Sequence, residues 1–236
     1  MQRMLYLPLH APCTYAAAAA IQESWVGLFL AHKQWPETHP KPPALLIVSQ
    51  FEPTYTCGRR ESDRLSKIDA AYLRTNPSAV LVRTLRGGQI TFHGPGQIVG
   101  YPILDLVDFQ MTLKEYVDRL ELSVLRTCNT FGLTAILTEH RGVWISPTKK
   151  IASIGLHLRR HITSHGIALN VSTNLNYFNK ITACGLENKE MTSFEREGVK
   201  VPLEIVQSCW VTHLVNVLQC TVQEINIQEV KSFLSS

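Results

Sequence analysis

The chain has 236 residues, of which 45% are hydrophobic and 18% charged, and this is enough for one α/β domain with a full core. Its net charge of +4 is too small and too scattered to indicate nucleic-acid binding, although it would suit an acidic protein partner. No apolar stretch approaches the length that a membrane span needs, so we predict a single domain over residues 1–236 with neither nucleic acid nor membrane as partner.

The first quarter of the chain is predicted to alternate strand and helix. The run Leu5–Leu9 predicts a strand, and Thr14 opens a helix that continues to about His32. A proline-rich loop follows, and the continuous apolar run Ala44–Val48 predicts a buried strand. Residues Ser66–Leu73 predict a short helix that ends before an Asn-Pro pair.

The glycine-rich stretch Arg86–Asp105, R-G-G-Q-I-T-F-H-G-P-G-Q-I-V-G-Y-P-I-L-D, organises the middle of the chain. It predicts a glycine-lined bend, a short strand through residues 90–92, a tight turn and a buried strand. An ordinary hairpin with a glycine bulge is the simpler interpretation. A ligand site is favoured because polar side chains are concentrated among the glycines: Arg86, Gln89, Thr91, His93 and Gln97. No lysine follows the glycines, so this is not a phosphate loop.

Helices and strands are also mixed in the second half. Thr112 and Glu115 form a predicted capping box at the start of a helix. Further predicted elements are strands at Thr134–Leu137, Gly142–Ile145, Lys150–Leu158 and Ser164–Asn170, a helix from Pro202 to about Gln219, and a weaker helix at Val222–Leu234. Clustered strands with helices between and after them predict a mixed α/β (α+β) fold.

The six cysteines show no C-x-x-C pair and no regular spacing, so we predict a reducing compartment. Most should be small buried apolar residues. Cys184 differs, because it lies in a short irregular stretch and is followed directly by Gly185, which leaves its sulfur approachable. The N-terminus has Arg3 and no acidic residue before Glu23, a weak likeness to a mitochondrial presequence.

Lys150 and a pair of histidines are further candidate site residues. Lys150 begins a strand that is otherwise uncharged, where a lysine is ordinarily a solvated cap. His161 and His165 are four residues apart, but the β-branched residues between them and the following Gly166 argue against a helix. With no H-E-x-x-H pattern and no nearby carboxylate, we predict no metal site.

Four blocks together resemble the octanoyltransferases, or lipoyl(octanoyl) transferases, of the biotin/lipoyl protein ligase superfamily: R-G-G-Q-I-T-F-H, K-I-A-S-I-G, S-H-G-I-A-L-N and A-C-G-L. The resemblance covers residues 51–194 and implies a fold like the biotin/lipoyl ligase catalytic domain, with a mixed sheet flanked by helices. The resemblance implies that Cys184 carries the acyl group and that Lys150 tunes the reactivity of this cysteine. The implied substrate-binding residues are Arg86, Gly87, Gly88, Gln89, Ile90, Thr91, Phe92, His93, Ser153, Ile154, Gly155, Gly166, Ile167 and Ala168.

The resemblance also implies an activity without cofactor or metal. Octanoyl would move from octanoyl-acyl carrier protein, through a Cys184 thioester, to the lysine of lipoyl domains, the first step of endogenous protein lipoylation. The implied acceptors are 2-oxoacid dehydrogenase E2 subunits and the glycine cleavage H protein. The implied location is the mitochondrion in a eukaryote and the cytoplasm in a bacterium.

Two alternatives stay open from sequence. An ATP-dependent lipoate or biotin ligase on the same fold would need no nucleophilic cysteine, and its transfer would require ATP and free fatty acid. A catalytically silent lipoyl-domain binder or assembly factor would have no need of both Lys150 and Cys184. The backbone N–H groups of the oxyanion site, around Gly185 or Gly87 and Gly88, also remain open.

Overall fold

The computed structural model describes residues 2–59, 79–181 and 189–235. Cys184 and the predicted helix at Ser66–Leu73 lie outside these ranges. The strands are β1 (Gln2–Cys13), β2 (Ala44–Phe51), β3 (Thr54–Cys57), β4 (Val80–Arg83), β5 (Thr91–His93), β6 (Gln97–Ile103), β7 (Val143–Ser146), β8 (Lys149–Arg159), β9 (Ile162–Asn170), β10 (Glu190–Met191) and β11 (Cys220–Glu224). The helices are α1 (Tyr15–Gln34), α2 (Leu113–Thr130), α3 (Leu203–Leu218), α4 (Ile227–Ser235) and a 3₁₀ helix (Leu175–Lys180).

Two sheets carry the fold. The main sheet has the strand order β10-β8-β9-β6-β2-β1-β11, and β7 pairs with β8 outside this path. Its centre is antiparallel, whereas β1 runs parallel to both β2 and β11. The small sheet has the order β4-β3-β5, and the glycine-rich bend connects β4 to β5 in sequence. The predicted mixed α/β fold is therefore confirmed.

Helices cover both faces of the main sheet. In β2, Leu45 and Ile47 belong to the core cluster under α1, and Leu46 and Val48 belong to the cluster under α2 and α3. Successive side chains of a strand point to opposite faces, so a strand buried on both faces is continuously apolar, as this run is. A third cluster, between the small sheet and the 3₁₀ helix, contains Tyr55 and Phe178.

Local signals set the starts of two helices as predicted. The Thr14 side chain accepts a hydrogen bond from the Ala17 N–H at the start of α1. At α2 the complete capping box forms: Thr112 Oγ1 accepts from the Glu115 N–H at 3.2 Å, and a Glu115 carboxylate oxygen accepts from the Thr112 N–H at 2.8 Å. These three hydrogen bonds satisfy backbone N–H groups at the helix starts, which lack the acceptor four residues earlier that a helix interior provides.

Two predicted elements differ from the structure. The helix predicted over Val222–Leu234 is wrong in its first part, because residues Cys220–Glu224 form β11 and pair with β1. The helix begins only at Ile227, where Asn226 accepts hydrogen bonds from two backbone N–H groups. Of the strand predicted at Thr134–Leu137, a single bridge at Ile136 forms. The strand partner of β11 is β1 at the other end of the chain, and local propensity does not contain that information.

Candidate active site

A cleft of about 500 Å³ opens where the R-G-G loop (Arg86 to Gln89) meets strands β8 and β9 and the start of α2. The predicted site residues that line it are Arg86, Gly87, Gly88, Gln89, Thr91, His93, Lys150, Ser153, Ile154, Gly155, Gly166, Ile167 and Ala168. Strand pairing explains how distant sequence blocks meet here. Gly155 pairs with Gly166 and Ser153 pairs with Ala168 across β8 and β9, and the Gly87 N–H donates to Leu156 O at 2.8 Å.

Two predicted substrate-binding residues lie elsewhere. Ile90 and Phe92 are buried in the third core cluster, and the Phe92 ring stacks on Tyr177 with centroids 4.2 Å apart. Their neighbours Thr91 and His93 do line the cleft. The period of two along a strand is the reason, since it turns alternate side chains of this block away from the cleft.

Arg86 shapes the loop from inside. Its side chain is buried, and it donates from Nε to Thr56 Oγ1 at 3.2 Å, from Nη2 to Thr56 O at 2.6 Å and from Nη1 to Gly87 O at 3.0 Å. The guanidinium thus ties β3 to the backbone of the glycine pair. A rigid fork of donors suits this task better than a flexible ammonium would.

Two glycines, which have no side chain, make room for these contacts. A Cβ on Gly58 would lie 2.3 Å from Gly88 O and 2.9 Å from Arg86 Nη1. A Cβ on Gly155 would lie 3.0 Å from Arg86 Cδ. Glycine at these positions therefore allows the R-G-G loop to lie directly on β3 and β8.

His93 is held neutral under the cleft. It is 5% exposed, its Nδ1 lies 2.8 Å from Gln97 Oε1 and its Nε2 lies 3.1 Å from Thr56 Oγ1. Burial, with the Arg86 charge in addition, lowers the pKa of His93 to about 4. Gln97 continues the network to Asn170 Oδ1 at 2.9 Å. This imidazole orders the wall of the cleft as an uncharged group.

His165, for which the sequence predicts no metal-binding role, lies in the cleft wall. Its backbone has φ +59°, and its N–H donates to Oε1 of the buried Gln22 of α1 at 2.6 Å. Burial lowers the pKa of His165 to about 3, with a further contribution from Arg86. Within the described ranges, no three of His, Cys, Asp or Glu come together as a metal site.

Lys150 is buried at 4% exposure, and it is not the solvated cap that is usual at a strand end. Its Nζ lies 5.2 Å from the centroid of the Trp144 ring. Among residues whose positions are described, no carboxylate forms an ion pair with it. The ammonium therefore lines the cleft without an acidic partner from this part of the chain.

The described cysteines have thiols that are unsuited to nucleophilic attack or lie outside the cleft lining. Cys57, Cys128 and Cys220 are buried, as predicted for most of the six, and Cys13 and Cys209 are partly exposed. Burial raises the pKa of Cys128 to about 12 and of Cys220 to about 11, so both stay protonated near neutral pH. Downstream of Cys184 in sequence, β10 pairs with β8 beside Lys150.

Sequence reasoning missed part of the lining. The additional residues are Tyr101, Leu113, Val117, Glu139, His140, Arg141, Leu156 and His165. Leu113 and Val117 lie four residues apart on the apolar stripe of α2, and that spacing was a usable signal. Residues 139–141 carry no such pattern, because only tertiary packing brings their turn to the cleft.

Comparison with known proteins identifies the family. A family model for the lipoyl protein ligase A/B catalytic domain matches residues 28–234. This chain belongs to that family. The lipoyl ligase fold is also that of solved structures: a chain from the bi-partite lipoate protein ligase system of Thermoplasma acidophilum has a TM-score of 0.71 at 17% identity, covering 99% of this chain and 90% of that one. Lipoate-protein ligase A bound with ATP has a TM-score of 0.71 at 14% identity, with 99% and 92% covered.

Relatives that are more similar in sequence carry more specific names. The relative named "Probable octanoyltransferase" from Schizosaccharomyces pombe is 46% identical over 202 residues, 85% of this chain and 89% of that protein. The mitochondrial octanoyl-[acyl-carrier-protein]:protein N-octanoyltransferase of Danio rerio is 42% identical, covering 66% and 68%. An octanoyltransferase of Caldanaerobacter subterraneus is 40% identical, covering 78% and 80%. The predicted resemblance to octanoyltransferases is confirmed.

Proposed function

We propose that this protein transfers an octanoyl group from octanoyl-acyl carrier protein to a lysine of lipoyl-domain proteins. The carrying observation is the cleft, in which the buried amine of Lys150 lies with the R-G-G loop and with the Ser153–Gly155 and Gly166–Ala168 backbones. The resemblance assigns four sequence blocks to one reaction. Described residues of the first three blocks line this one cavity. We propose Cys184, in the fourth block, as the nucleophile.

The apolar part of the cleft suits the acyl chain. Leu113 and Val117 of α2, Ile154 and Leu156 of β8, and Ile167 of β9 contribute side chains to the lining. An eight-carbon chain gains about 0.8 kcal/mol for each methylene that such a surface removes from water. In this proposal the polar groups of the lining, among them Lys150, meet the thioester end of the substrate.

The first chemical step exchanges one thioester for another. The Cys184 thiolate attacks the octanoyl carbonyl carbon, a carbon–sulfur bond to Cys184 forms, and the bond to the carrier thiol breaks. The Lys150 ammonium favours the Cys184 thiolate electrostatically and then gives a proton to the carrier thiolate as it leaves, so Lys150 is neutral when the second step begins. Reactant and product are both thioesters, so the step is nearly neutral in energy and consumes no ATP.

The second step makes the stable product. The acceptor lysine gives one proton to Lys150 in its neutral form, and its free amine attacks the acyl carbonyl carbon. The carbon–sulfur bond to Cys184 breaks as the amide forms, and the second N–H proton passes to the departing Cys184 sulfur. Backbone N–H groups hold the carbonyl oxygen in the transition state. The Gly87 N–H already donates to Leu156 O, so within this proposal the contact falls to Gly88 or Gly185.

The partners follow from the same chemistry. The donor is an acyl carrier protein and the acceptors are lipoyl proteins, and we propose E2 subunits of 2-oxoacid dehydrogenases and the glycine cleavage H protein among them. Residues 1–236 act as one catalytic domain in this proposal. The location is the mitochondrion in a eukaryote and the cytoplasm in a bacterium. No described helix is both long and apolar enough to cross a bilayer.

The deciding experiment follows the acyl group by intact-mass spectrometry. The wild-type protein is incubated with octanoyl-carrier protein, without ATP, and is expected to gain one octanoyl adduct on Cys184. Adding a lipoyl domain should then move that adduct to the domain. Cys184→Ser should form no rapid adduct and lose at least about a thousandfold in transfer rate, because a hydroxyl is a much weaker nucleophile than a thiolate near pH 7.

Controls separate this function from its alternatives. Cys209→Ser, at a half-buried cysteine outside the cleft lining, should transfer at the wild-type rate. Transfer that needs ATP and free octanoate would instead support a ligase. Binding of carrier protein or lipoyl domain with no adduct and no transfer would support a silent binder, and wild-type transfer by Cys184→Ser would exclude the proposed nucleophile.

A further inference from the structure

The amine of Lys150 lies over the ring face of Trp144. We propose that Trp144 is a positioning residue for Lys150, holding the amine at the cleft by a cation–π contact. The inference rests on the proposed function, because it assigns Trp144 an effect on acyl transfer that acts through Lys150. Trp144 lies outside the four sequence blocks.

The contact has the geometry of a cation–π pair. Lys150 Nζ lies 5.2 Å from the centroid of the Trp144 ring, within the distance of about 6 Å at which the ring quadrupole attracts a cation. Both residues are almost fully buried, Trp144 at 0% and Lys150 at 4% exposure. Desolvation strengthens the attraction relative to an exposed pair. Lys189 Nζ also lies 6.0 Å from the same ring, so the indole is a shared site for positive charge.

The indole itself cannot easily move. Trp144 Nε1 donates to His140 O at 3.1 Å, and the Trp144 backbone exchanges two hydrogen bonds with Ile136, of 2.7 and 3.0 Å. Trp144 is also the register partner of Lys150 where β7 pairs with β8. The ring and the amine are therefore tied to adjacent strands, and this holds their separation constant.

The aliphatic part of Lys150 is confined from another side by Gly142. A Cβ on Gly142 would lie 2.5 Å from Lys150 Cε, and the residue has φ +114°, a conformation that favours glycine. Its N–H donates to Oε1 of the buried Glu121 at 2.8 Å, and Arg141 Nη1 donates to Glu121 Oε2 at 3.0 Å. Helix α2 thus anchors the turn that confines the lysine stem.

An aromatic face suits this task better than a carboxylate would. A carboxylate beside Lys150 would accept its hydrogen bonds and neutralise the charge that is to favour the cysteine thiolate. The indole face attracts the cation but takes up no proton and leaves the N–H donors directed to other groups. Trp144 therefore fixes the place of the amine and leaves its charge and protons available to the reacting groups.

The test compares ring-containing and ringless side chains at two tryptophans. Trp25 is the matched control, because it is also 0% exposed and its Nε1 also donates to a backbone carbonyl, Pro43 O at 3.0 Å, but it belongs to α1 and packs in the core cluster between that helix and the main sheet. The variants are Trp144→Phe, Trp144→Met, Trp25→Phe and Trp25→Met, with Trp144→Leu as a second ringless form. Folding is checked by circular dichroism, and single-turnover octanoylation by intact mass at a temperature where all are folded.

We expect Trp144→Met to slow acyl-adduct formation about tenfold with little change in donor KM, and Trp144→Phe to retain the rate within about threefold, since phenyl keeps a ring face. Both Trp25 variants should stay within about twofold of the wild type. Equal losses of rate in Trp144→Phe and Trp144→Met would overturn the role of Trp144 and leave the proposed function standing. A Trp144→Met rate equal to that of Trp25→Met would do the same. A wild type that forms no adduct would overturn the proposed function together with it.

Discussion

Gly58 is a residue at which one methyl group decides the shape of the site. Its missing side chain lets Gly88 O and the Arg86 guanidinium lie against β3, and Thr56 supplies the guanidinium with two acceptors. The site therefore depends on small residues outside the recognised blocks. Such positions act on catalysis by placing backbone and touch no substrate.

Gly58→Ala is expected to displace the R-G-G loop, because backbone at 2.3 Å from the new Cβ cannot yield as a flexible side chain could. We expect destabilisation of about 1–3 kcal/mol and a rise in donor KM of about tenfold, measured by urea unfolding and by transfer assays. Gly27→Ala is the control: its Cβ has nothing within 4 Å in α1, so it should stabilise by about 0.5–1 kcal/mol with unchanged transfer. Indistinguishable kinetics of the two variants would contradict this account of the loop.

At the scale of elements, helix α2 connects local sequence signals to the cleft. It begins at a capping box, presents Leu113 and Val117 to the cleft, and farther along directs Glu121 to the turn that confines Lys150. The Thr112 backbone N–H that donates to Glu115, helped by the Thr112 hydroxyl, also lowers the pKa of that exposed carboxyl. The first turn of α2 thus matters both for stability and for the cleft wall.

Thr112→Ala removes the acceptor for the Glu115 N–H and is expected to lower the free energy of unfolding by about 1 kcal/mol. Thr112→Ser keeps the hydroxyl and should lower the free energy of unfolding by a few tenths of a kcal/mol at most. Urea denaturation of both variants makes the comparison, and the transfer rate of both should stay near wild type at low temperature. If alanine and serine prove equally stable, the capping contact does not hold the helix start.

For the molecule as a whole, the buried neutral histidines link folding to pH. Burial lowers the folded-state pKa of His93 to about 4 and of His165 to about 3, and both are near 6.5 in an unfolded chain. Below pH 6.5 the unfolded chain therefore binds more protons than the folded one. Stability from these groups is complete above the unfolded pKa and is lost as pH falls toward the folded values.

We expect the free energy of unfolding to fall between about pH 6.5 and about pH 4, with up to about 1.4 kcal/mol per pH unit from each histidine. Denaturant midpoints measured across that range test it. His93→Gln and His165→Asn should each flatten the slope, and asparagine suits the positive φ at position 165. A slope that is the same in the wild type and both variants would show that other groups set the acid sensitivity.

The sequence by itself determined the chemistry-bearing blocks, the capped helix starts and the mixed α/β class. These depend on neighbours in the chain: a capping box spans four residues, and a glycine pair marks a bend wherever it occurs. The family resemblance added the roles that local pattern alone leaves open, and it indicated most of the residues that line the cleft.

Only the tertiary structure decided which of those side chains face the cleft and what surrounds Lys150. Ile90 and Phe92 turn into a core because β5 alternates, and residues 220–224 become a strand because β1 offers them a parallel partner. Lys150 is buried beside Trp144 because β7 pairs with β8. Such contacts join segments that are distant in the chain or depend on strand register, and neither residue type nor local spacing specifies either of these.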